Sequence, residues 1–405
     1  MAAIIAIAPF AQGQNSITPY SKIGYGMLSD NVSGAQRQIG GVGYAMQNPR
    51  QVKEINPASY SQVDSLTFIW DVGIDLTNLW SKENDKKAHS FGGGLDYINA
   101  MFRIHPHFGG SFGVVPYSSV GYSFGTEIND GVESRAGEGG INELYLGFGI
   151  EPFRNFSLGA NFSYTFGTIT NDTFVYGSSS SIFERAIEVR DWNVHVGMQY
   201  AIDVTPRDRV VIGATYTPKK SFHGHRWGAY YDLGQDKDAD TIGYISLKGN
   251  FEQPHSIGGG ISFSHNNRIT AEVDFTYQNW AKAKYLPLEG FESNDMKFDN
   301  RWKVAAGVQY TPMRGTSYLN RMVYRMGAFF NHDYMNIIGN NVRDYGISFG
   351  FGLPTSSVTS KTMINLGFEW KHRYSAPTLL ISENYFNITL SVNFNELWFW
   401  KNKIR

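Results

Sequence analysis

The chain has 405 residues, a formal net charge of −1, no cysteine and 15% aromatic residues. The near-zero charge gives no global field that would attract nucleic acid or acidic substrates. Without cysteine the chain cannot form disulfides, thiolate zinc sites, iron–sulfur clusters or a thiol nucleophile. Mean hydropathy is −0.30, which also fits a transmembrane barrel, because only alternate residues of its strands face lipid.

The N-terminal stretch resembles a secretory signal. It reads AAIIAIAPFAQGQ, a short apolar run followed by small and polar residues. We therefore predict that residues 1–13 are a signal peptide whose basic leader is missing, with a buried N-terminal strand as the alternative. No run of about eighteen apolar residues follows, so no transmembrane helix is predicted.

The sequence pattern changes near residue 65. Residues 14–64 are polar, interrupted by Pro57 and without a clear period. From Leu66 onward apolar and polar residues alternate, as in LTFIWDVGIDL, which is typical of strands with one apolar face. We predict about fourteen such segments, near residues 65–79, 90–105, 107–125, 141–151, 155–169, 187–202, 208–218, 254–265, 268–282, 299–312, 321–332, 342–354, 361–372 and 384–397.

These segments predict an all-β fold, a transmembrane antiparallel β-barrel. Most are about ten residues or longer, enough for a tilted strand to cross a bilayer. Connections alternate between long polar stretches such as SKENDKKAH and short turns such as EPFRN, the loop pattern of outer-membrane barrels. We place the barrel at residues 65–397, in the outer membrane of a Gram-negative bacterium. A soluble sandwich, propeller or lipocalin-like barrel is the alternative, but it would not need such long strands or such apolar outer rows.

A barrel of this size needs something inside it. Fourteen strands enclose more space than wall side chains fill, since about eight already suffice. Residues 14–64 have the size and polarity to form an N-terminal plug, or hatch. Five charged residues fall on the lumen-facing side of their strands, where we expect them to pair and fix the plug, with a conducting polar path as the alternative: Arg103, Glu272, Arg301, Lys303 and Arg325.

Tryptophans near strand ends are candidates for the aromatic girdles of a membrane barrel. Any single one could instead pack against a loop. The candidates are Trp80, Trp280, Trp302, Trp370, Trp398 and Trp400. Residues 398–405 continue beyond the last alternating segment and are expected to form a periplasmic C-terminal tail.

Three stretches resemble the FadL-type outer-membrane transporters, and the phrases TPYSKIGYG and NPASYSQVDSLTF resemble members from Bacteroidota. Asn56-Pro57-Ala58 is similar to the Asn-Pro-Ala motif of that family's hatch. GVVPYSSVGY at 113–122 resembles its proline-bearing third strand. The segment QPHSIGGGISFSHNNRITAEVDFTYQNW at 253–280 resembles its Pro-Ser strand, short turn and Trp-ended strand.

The resemblance implies a passive channel for hydrophobic solutes such as long-chain fatty acids. The solute would pass the hatch and leave sideways through a gap at Pro116 and Tyr117. Proline supports a gap independently, because it lacks the N–H that a closed sheet requires. A benign bulge at Pro116 is the alternative.

The same family resemblance also includes members that do not transport. One type serves in type nine secretion, and another is the FadL-like subunit of the barrel-assembly machinery. The long C-terminal tail favours such a role, with protein partners contacting the extracellular loops and the tail. The expected partners are therefore outer-membrane lipid, a hydrophobic small molecule if the barrel transports, and outer-membrane proteins, but not nucleic acid.

No motif indicates an enzyme, a cofactor or a metal site. HGHRW at 223–227 offers two histidines without further ligands nearby, and DLGQDKDAD at 232–240 lacks the glycine of a calcium loop. No nucleophile elbow, phosphate loop or triad spacing is present in the sequence.

Overall fold

A computed structural model gives the fold of most of the chain. It describes residues 16–128, 131–177, 180–233, 239–249, 251–285, 288, 291, 296–312, 317–355 and 361–397. The predicted signal peptide and the predicted tail, with Trp398 and Trp400, lie outside these ranges. Within them, no helix is both long and apolar enough to cross a membrane.

The described residues are mostly β-structure. The strands are β1 (Met27–Leu28), β2 (Thr67–Glu83), β3 (Lys86–His105), β4 (Phe108–Ser119), β5 (Tyr122–Ile128), β6 (Gly131–Phe153), β7 (Phe156–Tyr176), β8 (Ser180–Asp203), β9 (Asp208–Thr217), β10 (Lys220–Ser221), β11 (Gly224–Leu233), β12 (Ala239–Lys248), β13 (Glu252–Gln253), β14 (Ser256–His265), β15 (Ile269–Gln278), β16 (Met296–Phe298), β17 (Arg301–Tyr310), β18 (Val323–Ile337), β19 (Asn340–Pro354), β20 (Met363–Ala376) and β21 (Ser382–Leu397). The helices are short: α1 (Gly34–Arg37) and the 3-10 turns Pro19–Lys22, Pro57–Gln62, Trp280–Lys282 and Leu319–Arg321.

Fourteen strands close into one antiparallel barrel, which confirms the predicted fold. The wall runs β2-β3-β4-β6-β7-β8-β9-β14-β15-β17-β18-β19-β20-β21. The last strand, β21, pairs with β2 over sixteen residues, from Thr67–Leu397 to Lys82–Ser382. This pairing leaves neither the first nor the last wall strand as an edge of the sheet, as lipid requires of a spanning β-structure.

Side chains alternate across the wall as the sequence predicts. On β2, Trp70, Ile74 and Leu76 are exposed on the outer face, whereas Asp71 and Asp75 are buried inside. Apolar residues therefore face lipid and polar residues face the lumen.

The polar connections predicted as long loops are largely strand instead. β6, β7 and β8 run 23, 21 and 24 residues, about twice what crosses a bilayer. Apolar alternation fades beyond the lipid because both faces of the sheet then meet water or protein, but the backbone ladder continues. By the loop rule of outer-membrane barrels, this long-hairpin end faces the cell exterior.

Two glycines with unusual backbone conformations lie where the extended sheet leaves the barrel. Gly167 lies between Ile141 and Val189, and Val189 pairs with Gly224. Gly167 has φ +147° and Gly224 has φ +155°, values that side chains beyond glycine rarely tolerate. The inner face of the sheet beside these glycines packs into one apolar core with plug and loop residues, which we call the cap. Buried members of this cap are Tyr20, Tyr25, Val120, Tyr122, Ile141, Ile169, Ile187, Val189, Phe222, Phe251, Trp280, Tyr334, Met335 and Val342.

Residues 16–64 run inside the barrel and are mostly buried. They hydrogen bond to inward side chains around the whole wall: Thr18 to Glu383 of β21, Gly43 to Asp274 of β15, and Ser61 to Ser157 of β7. We call this segment the plug.

Candidate functional site: the plugged lumen

The Asn-Pro-Ala motif sits at the lower end of the plug. Asn56 caps the 3-10 turn Pro57–Gln62 by accepting a hydrogen bond from the Ala58 N–H at 3.1 Å. Its amide Nδ2 donates to the carbonyl of Tyr44 at 2.6 Å and to that of Met198 on the wall at 3.2 Å. One side chain therefore ties two plug segments to β8.

Inward-facing glycines of the wall allow this turn to pack directly against the strand backbones. A Cβ at Gly159 would lie 2.5 Å from the Ala58 nitrogen, and a Cβ at Gly149 would lie 2.6 Å from the Pro57 oxygen. Backbone meets backbone at these positions, so only glycine fits. Plug atoms lie similarly close to Gly109, Gly197, Gly213, Gly258, Gly307, Gly327, Gly350 and Gly367.

All five lumen charges named from the sequence contact the plug. Arg103 donates to the carbonyl of Val63 at 2.8 Å, and Glu272 accepts from the Ala45 N–H at 2.7 Å. Arg325 donates to Gln38 at 2.9 Å. Arg301 and Lys303 both reach Asp30, so these charges connect wall to plug.

Asp30 forms the central clamp. Its two carboxylate oxygens lie 2.5 Å from Arg301 Nη2 and 2.7 Å from Lys303 Nζ. Both cations are at least nine-tenths buried, at 6% and 10% side-chain exposure. Burial raises the pKa of Asp30, but Lys303 and Arg301 outweigh that effect and hold the pKa well below its usual range.

Two cavities formed by described residues lie in the lumen beside the clamp, which is part of the wall of each. One has a volume of about 140 Å³ and is lined by residues that include Glu54, Glu143 and His195. The other has about 200 Å³ and is lined by residues that include Arg37, Asp96 and Arg373. The first cavity is also lined by apolar side chains such as Leu28, Val115 and Trp280, and its lining is more apolar than polar. Polar and charged groups predominate only in the second cavity.

The cap closes the upper end around Tyr25, which is fully buried. Its ring lies 5.4 Å from that of Trp280 and 5.6 Å from that of Tyr285. Its hydroxyl donates to the carbonyl of Glu252 at 3.0 Å, and its N–H donates to Tyr334 Oη at 3.1 Å. Loops and plug therefore share one core.

We expect Tyr25→Ala to destabilise the barrel by about 3–5 kcal/mol, because it removes a buried aromatic ring from a packed core. Tyr25→Phe is the matched control: it loses only the bond to Glu252, about 0.5–1.5 kcal/mol. Urea titration of the folded, heat-modifiable band on gels measures both. Equal midpoints for the two variants would show that the ring does not hold the cap.

Pro116 lies on β4 where the wall becomes irregular. Pro116 pairs with Asn142 of β6, and the register shifts before Ser118. On the other side, β4 pairs with β3 only up to Val114. Tyr117 accepts a hydrogen bond from the plug at Ser29 N, 3.0 Å away. The structure thus has a bulge at Pro116. Beyond the Ile98–Val114 pair, β3 and β4 are not paired with each other, and we call this interruption of the wall the seam. Plug residues lie behind the seam.

The described tryptophans divide into two groups. Trp80, Trp302 and Trp370 lie on outer faces of strands, and Trp302 stacks on His332 at 5.8 Å. Trp280 does not belong to a girdle: it is 1% exposed and packs in the cap, 4.8 Å from the ring of Tyr334. The strand that carries it ends at Gln278, and a 3-10 turn then directs the indole inward.

No metal centre is found in the described ranges, where no three His, Asp or Glu side chains could hold an ion. His223 pairs with Asp191 at 3.2 Å, and His225 pairs with Glu188 at 3.3 Å. Most of the acidic DLGQDKDAD stretch, residues 234–238, lies outside the described residues.

A family model described as BamG matches residues 1–405. This chain belongs to the BamG family. No curated protein matches its sequence.

Solved structures share the fold of this BamG-family barrel. The P. putida toluene transporter TodX matches with TM-score 0.65 at 14% identity, over 92% of this chain and 100% of that one. A Pseudomonas aeruginosa FadL homologue matches with TM-score 0.66 at 13% identity, over 91% and 99%. The CymD monoaromatic hydrocarbon channel matches with TM-score 0.60 at 14% identity, over 90% and 97%.

The FadL-type resemblance seen in the sequence is therefore confirmed. The BamG-family barrel is an outer-membrane protein of a Gram-negative bacterium. At such low identity the likeness establishes the fold alone.

The plug residues that contact the wall charges could not be predicted from the sequence. Asp30 and Tyr25 lie in a segment without periodicity, so no pattern marks them as buried. One signal was available: Arg301 and Lys303 stand two apart on a lumen face, and such a pair needs an acidic partner. In this BamG-family barrel the plug supplies it.

Proposed function

We propose that this barrel is a non-enzymatic, non-transporting subunit of an outer-membrane protein complex, in the setting of the barrel-assembly machinery. The observation that carries the proposal is the contact between plug and wall inside the lumen of the described residues. Ion pairs, backbone contacts at glycines and the aromatic cap hold the plug at three levels.

The character of the remaining space supports this role. A channel for hydrophobic solutes needs an apolar route, because an apolar molecule makes no favourable interaction with a charged wall. The larger cavity is bordered by Asp30, Arg37, Asp96, Asp344 and Arg373. It also reaches Pro116 and Ser118 at the seam, so a charged surface stands behind the point where a solute would leave.

The family supports the same role. BamG shares its Bam prefix with components of the barrel-assembly machinery, the complex that the sequence resemblance also suggested. A closed barrel fixed in the membrane is a suitable scaffold for partner proteins, which would contact its extracellular hairpins and its C-terminal tail.

A passive channel for hydrophobic solutes such as long-chain fatty acids is the second candidate. The seam between β3 and β4 at Pro116 favours it, and so does the fold shared with a toluene transporter. The smaller cavity, whose lining is more apolar than polar, also fits it. This candidate requires the plug to move and the charged larger cavity to be bypassed.

Purification of the tagged protein from native membranes in mild detergent separates the two candidates. We expect outer-membrane proteins in fixed stoichiometry and no apolar ligand when proteins and extracted lipids are analysed by mass spectrometry. A lone barrel that carries fatty acid or another apolar molecule would overturn the proposal and favour the channel.

A further inference from the structure

A positively charged site lies on the outer face of the barrel wall near its extracellular end. Arg343 of β19 belongs to the outward row of its strand, because its neighbours Val342 and Asp344 are both buried. His332 of β18 is directly opposite Arg343 on one side, and Tyr374 of β20 is opposite it on the other. The Cβ atoms of directly opposite residues lie about 5 Å apart, so three hydrogen-bond donors stand in one row.

The site lies where the lipid ends. Further toward the periplasm on the outward row of β19, Tyr345 and Ile347 are exposed, and lipid covers such residues in a membrane barrel. Trp302 stacks on His332 at 5.8 Å, and the ring of Tyr345 lies 6.3 Å from that of Tyr374. Tryptophan and tyrosine mark the membrane–water interface. The site is therefore at the depth of the lipid headgroups.

Arg343 has no counter-charge within the described part of the chain. Its Nε and the Nδ1 of His332 have no hydrogen-bond partner among the described residues, and no ion pair of Arg343 occurs there. The acidic residues of the neighbouring positions point into the barrel: Asp344 contacts Arg373 at 2.6 Å, and Glu383 is fully buried. An arginine beside lipid is stable when its charge reaches an anion or the headgroup region, so the site requires an anion from outside.

The chemistry of the site favours phosphate as that anion. A guanidinium keeps its charge and forms paired hydrogen bonds with phosphate oxygens. The imidazole of His332 and the hydroxyl of Tyr374 can each donate a further bond. The exposed apolar row directly below suits acyl chains, and basic sites beside a membrane bind the head groups of anionic lipids. Because this end of the barrel faces the cell exterior, the lipid belongs to the outer leaflet.

We propose that Arg343, His332 and Tyr374 bind a phosphate group of lipopolysaccharide, the phosphorylated lipid of the outer leaflet, and that its acyl chains pack along Tyr345 and Ile347. The site is on the lipid-facing surface and outside the lumen. It is therefore independent of whether the barrel acts as a subunit of a complex or as a channel.

Analysis of the lipid that purifies with two variants tests the site. Arg343→Gln removes the unpaired charge. Arg190→Gln is the matched control, because Arg190 also lies on an outward row near the extracellular end but has Glu188 at 2.5 Å. After extraction in mild detergent, we expect Arg343→Gln to retain at least tenfold less lipopolysaccharide than the unchanged protein and Arg190→Gln to retain the same amount. Equal retention by all three proteins would overturn the proposal.

Titration of the delipidated barrel with defined lipids identifies the group that binds. The probes are lipopolysaccharide, lipopolysaccharide treated with phosphatase, and phosphatidylglycerol, with binding measured by native mass spectrometry. We expect the unchanged protein to bind intact lipopolysaccharide at least tenfold more tightly than Arg343→Gln does, and both to bind the dephosphorylated lipid equally weakly. Equal binding of intact and dephosphorylated lipid would show that phosphate plays no part. Equally tight binding of phosphatidylglycerol would overturn the assignment to lipopolysaccharide.

Two milder variants separate a binding defect from a folding defect. Arg343→Lys keeps the charge but loses the paired geometry, and Tyr374→Phe removes only a hydroxyl. We expect both to keep the urea midpoint and the heat-modifiability of the unchanged protein and to retain intermediate amounts of lipopolysaccharide. Unchanged lipid content in both variants would overturn the site, including in the case that Arg343→Gln does not fold.

Discussion

Asp30→Asn is expected to turn the closed barrel into an ion-conducting one. The substitution keeps the shape of the side chain and removes its charge. Arg301 and Lys303 then remain buried and lose the carboxylate that contacts both of them. Breaking a buried pair costs up to about 3–5 kcal/mol, and Asp333 and Asp344, which also act on Arg301, offset part of that cost.

The position of Asp30 explains why the loss should also open a path. Asp30, Arg301 and Lys303 border both lumen cavities. When the clamp is released, the plug segment around Asp30 no longer separates the two cavities, and repulsion between the two cations favours its displacement. Planar-bilayer recordings should show stepwise conductance for Asp30→Asn and none for the unchanged protein.

Asp64→Asn is the matched control. Asp64 also lies between two cations, 3.2 Å from Arg50 and 3.5 Å from Lys361. Those cations are exposed, at 47% and 40%, so water compensates them and the loss should be about 0–1 kcal/mol. Equal conductance and equal stability for the two variants would show that the Asp30 clamp does not close the lumen.

The pH dependence of the clamp follows from the low pKa of Asp30. A carboxyl whose pKa is depressed in the folded state contributes its full stabilisation above its unfolded pKa of about 4 and loses it only as the pH falls toward the folded value. The folded pKa of Asp30 lies well below the usual range. Between pH 5 and pH 8 the clamp should therefore stay closed, and recordings across that range should remain silent.

The sequence predicts the wall of this barrel better than its interior. A period-two pattern of apolar residues is imposed by lipid on every spanning strand, so the fourteen segments and their outward faces could be read directly from the sequence. The extracellular hairpins could not, because strands above the membrane need no apolar row. SKENDKKAH looks like a loop by composition, yet its backbone continues the β2–β3 ladder to Glu83–Lys86.

The interior follows a different rule. Plug residues do not alternate between two environments, so their burial produces no periodic pattern in the sequence. Tyr25 and Asp30 could therefore not be distinguished from surface residues. The wall residues of the site could be predicted, because alternation along each strand places charges such as Arg301 on the lumen-facing side. Trp280 shows the limit of that reasoning: its place at a strand end suggested lipid, but the turn after Gln278 directs it into the cap.

Gly159→Ala is expected to displace the Asn-Pro-Ala turn while the barrel wall stays folded. The added Cβ would lie 2.5 Å from the Ala58 nitrogen and closer still to the Pro57 carbonyl. Main-chain atoms on both sides cannot move away as a flexible side chain can. Overpacking of this kind costs about 1–3 kcal/mol, enough to weaken the two bonds that Asn56 makes to Tyr44 and Met198.

Gly259→Ala is the control, because its Cβ would meet nothing closer than the Gly213 oxygen at 3.7 Å. Trypsin separates displacement of the plug from loss of the barrel. Lys53 is buried, with its Nζ donating to the carbonyl of Met46 at 3.1 Å, so cleavage after Lys53 requires the lower plug to leave its place.

We expect cleavage after Lys53 at least tenfold faster in Gly159→Ala than in Gly259→Ala, while both keep a heat-modifiable barrel. Equal cleavage would mean that the turn tolerates a methyl group and that the inward glycines are not needed to seat it. Faster cleavage only after the barrel has lost heat-modifiability would mean that plug and wall unfold together, so the plug would be part of the wall's stability and could not act as a separable gate.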